Sequence, residues 1–306
     1  MTFKEIITNA PEFLGNMYQF MTNSGGDVSA TFIENGQNKT YTFPTANKIK
    51  DTVPDAVKSG MLVYLYVDPV LGDDTNDGSF GNPMKTLVAA IDSSPVSCRL
   101  YLNLISGATY NVDKEVWLFN RSIELYGDAA NPPLIVQQQR VAPTGGVTTV
   151  GRNGQFSARG GNSLFTIYDC VISTHSEFVD SRSALFVNYR GNLSLLIVND
   201  GLLATSPTAI SILINGAQLA ESLPGMGLSS VSLKSCRIFF QNPVDTVAVG
   251  SDYLLSTDGV TALSVSSSIF SDGANTFTNR TRFLKYAGGA TGVSPRNVTS
   301  NIDLKN

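Results

Sequence analysis

The chain has a single histidine among 306 residues, one tryptophan and three cysteines. Cys98, Cys170 and Cys236 are an odd number, widely spaced, with no Cys-x-x-Cys pair. That excludes a disulfide framework and a cysteine-ligated zinc site, and leaves them as buried thiols. No apolar run approaches the roughly 18 residues that a membrane span requires, so no membrane insertion is expected. The segment MTFKEIITNAPEFLG lacks a basic stretch followed by an apolar core. No signal peptide is therefore expected, and the site of synthesis is a cytoplasm. Positive charge is in deficit, with 21 Lys and Arg against 25 Asp and Glu. This excludes a nucleic-acid partner, which requires a basic surface. The glycine-rich segment VAPTGGVTTVGRNGQFSARGGN (141–162) lacks Gly-Lys-Ser/Thr and precedes no helical pattern, which excludes a phosphate loop.

What the chain does have is glycine, serine, threonine and asparagine between short apolar runs, with 15% charged residues. That composition predicts an all-β, turn-rich protein. Residues 1–60 read differently, as a small α/β region. Phe13, Leu14, Met17 and Phe20 have helical spacing, and two alternating runs flank Asn35-Gly36, a hairpin signal. From Met61 the pattern is β, beginning with LVYLYVD, in which Val63, Leu65 and Val67 alternate with Tyr64 and Tyr66. A short helix is predicted near 83–94, capped by Asn82, with Pro83 in its first turn and an apolar face of Met84, Leu87, Val88 and Ile91.

An internal repeat follows. FTIYDCVIS, LIVNDGLLA, VSLKSCRIF and LSVSSSIFS align with an aliphatic pair bracketing a small or polar centre. The pairs are Ile167 with Ile172, Ile197 with Leu202, Leu233 with Ile238, and Val265 with Phe270. An earlier copy begins at SIELYGD. A constant bracket with variable spacing predicts stacked coils whose loops absorb the difference, a parallel β-helix over 61–273. A β-sandwich predicts no such bracket. The tail, 274–306, breaks the pattern and is expected to cover the last coil through Phe277, Phe283, Leu284 and Tyr286, or to be exchanged between subunits.

The stretch YVDPVLGDDTNDGSFGNPMKTLVAAIDSSP followed by SIELYGDAANPPLI resembles the start of the pectin-lyase-like right-handed parallel β-helix. There a Tyr-Val strand, a Gly-Asp/Asn-Asp-Gly turn and a Pro-x-x-Thr-Leu-x-x-Ala-Ile helix lead into the first coils. Joined to a small N-terminal region, such a β-helix is similar to bacteriophage tail fibres and tailspikes. The resemblance implies a homotrimer in the virion tail, assembled in the host cytoplasm. Residues 1–60 would dock to other virion proteins, and the β-helix would bind a bacterial surface polysaccharide. The alternatives are a glycan depolymerase of the same fold and a structural baseplate or head-decoration protein.

Glycan hydrolysis needs two carboxylates about 5 to 9.5 Å apart. Asp169 and Asp200 nearly share a register, and STHSEFVDSRS collects His175, Glu177, Asp180 and Arg182. Turn-forming roles compete with catalysis for all of them. No group of residues matches a lyase base beside calcium-binding acids, and no cofactor is expected. The segment 141–162 is read as a surface loop offering Arg152, Phe156 and Arg159 to a receptor or a neighbouring subunit. Asp73, Asp74 and Asp77 are the candidate metal ligands, read instead as shaping a turn ahead of the helix.

Overall fold

Alternating aliphatic and polar residues, as in LVYLYV, form parallel strands from residue 62 onward. The computed structural model describes residues 27–34, 37–44, 62–96, 98–138, 154–174, 184–215, 217–223, 228–241, 254–257, 259–271, 284–285 and 298–301. The chain divides into two units, Met1–Ser59 and Gly60–Asn306. In the first, β1 (Asp27–Glu34) and β2 (Gln37–Pro44) pair antiparallel, with Glu34 opposite Gln37, so two residues, Asn35 and Gly36, connect them. The helical spacing at Phe13 to Phe20 lies outside the described residues.

The second unit holds three parallel sheets. Sheet one contains β3 (Leu62–Val67), β4 (Arg99–Leu104), β7 (Ser122–Tyr126), β10 (Asn162–Tyr168), β13 (Asn192–Val198), β16 (Leu228–Lys234), β19 (Val260–Ser266) and β22 (Val298–Ser300). Sheet two contains β5 (Thr109–Val112), β8 (Leu134–Gln137), β11 (Val171–Ser173), β14 (Ile212–Ile214), β17 (Arg237–Phe240) and β20 (Ile269–Ser271). Sheet three contains β6 (Glu115–Phe119), β9 (Gln155–Gly160), β12 (Phe186–Asn188), β15 (Ala220–Ser222), β18 (Leu255–Thr257) and β21 (Leu284–Lys285). From β4 onward the chain visits sheets one, two and three in turn, and from β7 onward each strand pairs with the one a full circuit earlier. Parallel pairing throughout these sheets excludes the antiparallel sandwich.

The register explains the repeat. Leu65, Leu102, Leu125, Ile167, Ile197, Leu233 and Val265 lie opposite one another and are all buried. Each buried aliphatic side chain stabilises the fold by about 1.5–3 kcal/mol relative to exposure, which no isolated circuit could achieve. In sheet two the ladder runs Ile172, Ile212, Ile238, Phe270. Leu202, expected in that row, is displaced by Ile212. In the other three copies of the repeat the sharp turn after sheet one has Asp169, Ser235 and Ser267 at φ 48°, 55° and 50°. Asn199 instead has φ −124° and leads into a short helix, α2 (Asp200–Thr205), whose Leu202 is buried. The insertion accounts for the longer spacing of that copy.

Phe156, Phe165 and Phe186 fill the interior with ring centroids 4.8 to 5.2 Å apart, all without solvent exposure. Phe156 is thus a core residue of β9, not a receptor-contacting loop residue, because its strand pairs with β6 and β12 and turns that side chain inward. The tail contributes β21 and β22 to sheets three and one, so strand pairing extends past 274. The Asn301 side chain pairs with both backbone polar groups of Val265, prolonging the ladder by an amide. Phe277, Phe283 and Tyr286 lie outside the described residues.

The helix α1 (Leu87–Ser93) begins later than the sequence suggests, because Thr86 rather than Asn82 is its cap, its Oγ1 accepting from the Ala89 N–H. Pro83 and Met84 are held in extended form instead, with Met84 exchanging backbone hydrogen bonds with Tyr66 and Asp68. Leu87, Ala90 and Ile91 are buried against β3, β5 and β6, the first strands of the three sheets. The helix therefore covers sheet edges and apolar interior that would otherwise stand open.

All three cysteines are buried and reduced, and the circuit through β13 lies between those that carry Cys170 and Cys236. Burial pushes their thiols above the ordinary range, Cys236 to about 11. At about pH 8 the native protein is expected to resist iodoacetamide, with three labels acquired only in denaturant. Rapid native labelling, read by mass spectrometry, would contradict the burial.

Candidate functional site

The acidic turn is a structural device. Asp68 Oδ1 accepts from the N–H groups of Val70 and Leu71, Asp73 Oδ1 from Thr75, and Asp77 Oδ1 from Ser79. Asp74 Oδ1 accepts from the N–H groups of Lys85 and Thr86, joining the turn to the start of α1. The Thr75 hydrogen bonds hold the Asp73 carboxyl below its usual range. Asp73, Asp74 and Asp77 thus each have an oxygen committed to local backbone, and no metal-holding cluster occurs among the described residues. Asp74→Ala leaves two N–H groups without their acceptor and is expected to cost about 1–2 kcal/mol, seen as a lower urea midpoint. An unchanged midpoint would remove this role from Asp74.

Asp169 and Asp200 are likewise spoken for. Tyr168 lies opposite Val198, which places Asp169 opposite Asn199 and one residue out of step with Asp200. Asp169 Oδ1 accepts from the Leu202 N–H and ties α2 to the preceding circuit. Asp200 receives Lys234 Nζ and Ser235 Oγ, which hold its carboxyl below the usual range. A general acid needs the opposite shift. His175, Glu177, Asp180, Arg182 and Arg152 lie outside the described residues. Arg159 is on β9 rather than a loop, paired with Glu115 and lying 3.9 Å from the Tyr189 ring centroid and 5.6 Å from that of Trp117.

The described surface most suited to a ligand is the outer face of sheet one. Arg99, Ser122, Leu164, Ser194 and Ser230 form one outward row in register across five strands. At ~4.8 Å per strand the row is about 19 Å long. Along one side stand Asn120, Asn162 and Asn192 at the corners leading into this sheet. Asn192 Nδ2 donates to Asn162 Oδ1 at 2.8 Å, and Asn192 Oδ1 accepts from the Leu228 N–H. Gly161 and Gly191, at φ 64° and 103°, make the corners that place Asn162 and Asn192. A Cβ on Gly191 would lie 2.4 Å from the Gly161 carbonyl oxygen. Together these residues line an open groove of about 600 Å³.

On the same face four tyrosines form a stacked band. Ring centroids are 4.8 Å apart for Tyr64 and Tyr101, 5.9 Å for Tyr101 and Tyr126, and 4.9 Å for Tyr126 and Tyr168, with interplanar angles of 14° to 18°. Tyr64 and Tyr101 stack along one row and Tyr126 and Tyr168 along the next outward row, so the band steps sideways between them. Glu124 fills the step. Its Oε1 accepts from Arg99 Nε and Nη2 at 3.0 and 2.8 Å, and its Oε2 from the Tyr126 hydroxyl at 2.6 Å. Desolvation and Glu124 raise the Tyr101 and Tyr126 phenols, so both stay protonated near neutral pH. The Glu124 contacts raise the Arg99 guanidinium further above its ordinary value.

Fixed aromatic faces beside a trough of amides and hydroxyls suit a ligand with apolar ring faces and polar edges. The tyrosines escaped sequence reasoning as a group, although Tyr126 and Tyr168 occupy the same place in SIELYGD and FTIYDC, just before the turn. Comparison of the chain with protein-family models, curated proteins and solved structures gave no match.

Proposed function

We propose that this chain is a pectin-lyase-like right-handed parallel β-helix serving as a bacteriophage tail fibre or tailspike-type protein. In this reading residues 1–60 attach it to other virion proteins in the tail, and a homotrimer of its β-helices binds a bacterial surface glycan. The observation that carries the glycan reading is the tyrosine band beside the amide- and serine-lined groove on one sheet face. Sugar rings stack their C–H faces on aromatic side chains and offer hydroxyls to neighbouring donors and acceptors. A groove that follows the stacking direction suits an extended polymer. Adhesion without cleavage is favoured, since the Asp169 and Asp200 carboxylates are committed to α2 and to Lys234 and Ser235.

The purified protein is expected to bind cells in a panel of capsulated and lipopolysaccharide-bearing bacteria, with binding competed by polysaccharide extracted from the same cells. Cell binding insensitive to that polysaccharide, or none across the panel, would overturn the reading. Reducing-end assays on the bound polysaccharide are expected to show no release.

A further inference from the structure

We infer that the glycan held in this groove carries an anionic group, a carboxylate or a phosphate, received at one end by Arg121 and Arg99. The inference rests on the glycan reading of the groove and adds the class of ligand. The groove lining contains two guanidinium groups and no carboxylate. In a chain of net charge −4 such a local imbalance is not the background condition.

Arg121 is the unusual member. Its residue is only 8% exposed, yet among the described residues it forms no ion pair. Nη1 donates to the Ile91 carbonyl and Nη2 to the Ser94 carbonyl at 3.1 Å, both neutral acceptors. Nε has no partner. A buried cation whose direct partners are all neutral is poorly compensated, and an anion arriving in the groove would add a contacting counter-charge. Burial pulls the Arg121 guanidinium below its ordinary value, with the Asp92 carboxylate opposing the shift in part.

Arg99 stands in the adjoining position, since it lies opposite Ser122, the residue after Arg121. Glu124 engages its Nε and Nη2, which leaves Nη1 for a ligand, and its side chain is 53% exposed. Beyond these two residues the row continues through Ser194 and Ser230, so the charge is confined to the end nearest α1. The groove therefore offers serine and asparagine side chains along its length, interrupted by Leu164 and Leu228, and is cationic at one end. An acidic sugar or phosphate substituent would orient the polymer, while its neutral rings lie along the serines and tyrosines.

The test uses the full chain and polysaccharide extracted from a bacterium that it binds. The polymer is presented untreated, after carbodiimide–borohydride reduction of its carboxylates, and after mild hydrofluoric acid removal of its phosphates. One treatment is expected to weaken binding about tenfold or more, and that treatment identifies the source of the charge. Raising NaCl from about 0.05 to about 0.5 M is expected to weaken the untreated polymer preferentially. Arg99→Gln should lose part of the preference for the untreated polymer that the wild type shows. It should bind the neutralised one no worse than the wild type does, a selectivity that a merely misfolded variant would not show. Arg121→Lys, checked by circular dichroism, should behave in the same direction. Equal affinity for all three forms would overturn the inference and leave the glycan reading standing. No binding of the untreated polymer in the groove would remove both.

Discussion

Phe156→Ala is expected to lower the stability of the 60–306 unit by about 3–5 kcal/mol, the range for emptying a well-packed aromatic site. Phe156 lies opposite Phe186 on the adjacent strand and packs against Phe165 of sheet one, so its loss opens a cavity between two sheets. Its neighbours have no free space to move into, since all three rings are fully buried. Phe119→Ala is the control. That ring is 51% exposed on β6, and its truncation should stay within about 0.5 kcal/mol. Urea midpoints of the two variants decide the matter. Equal shifts would mean that the interior does not hold Phe156 as described.

Tyr101→Ala and Tyr126→Ala are each expected to weaken glycan binding about tenfold, or about 1.4 kcal/mol, because each breaks the band at its centre. Tyr101 has a stacked ring on either side, and its face also meets the Arg99 guanidinium at 5.1 Å. Tyr126→Phe separates the contributions. It keeps the stack but removes the hydroxyl that donates to Glu124, so a smaller loss is expected than for alanine. Trp117→Ala, on sheet three, should leave affinity unchanged although Trp117 is the more exposed residue at 61%. If the tryptophan variant loses binding and the tyrosine variants do not, the ligand is held by sheet three.

Much of the parallel strand stacking was legible because a parallel ladder imposes one physical demand on each circuit. An aliphatic residue must sit above the last one, and Ile167, Ile197, Leu233 and Val265 meet that demand in register. Loops answer to no such demand. The bracket failed at Leu202 because α2 was inserted where the other copies turn sharply, and the longer spacing of that copy was its only trace. The strand around Phe156 was hidden by its neighbours. Glycines at both ends of GQFSARGG suggest a loop, while the inward positions are a phenylalanine and a small alanine.

The helix start was misplaced for a related reason. Asn82 and Pro83 have cap-like identities, but the hydrogen bonds of Asp74 to Lys85 and Thr86 move the first turn onward. The acidic turn itself was legible as a turn, since Asp and Asn satisfy nearby N–H groups in the patterns found at Asp68, Asp73 and Asp77. The candidate site was the least legible part. Tyr64, Tyr101, Tyr126 and Tyr168 span more than a hundred positions and become neighbours only through the register of four strands.

The most direct test of a glycan site on this face is a crystal structure of the protein with an oligosaccharide from a polysaccharide that it binds. Sugar density is expected along the row from Ser122 to Ser230, beside Tyr101 and Tyr126. Density on another sheet, at a ligand concentration that saturates binding in solution, would contradict it.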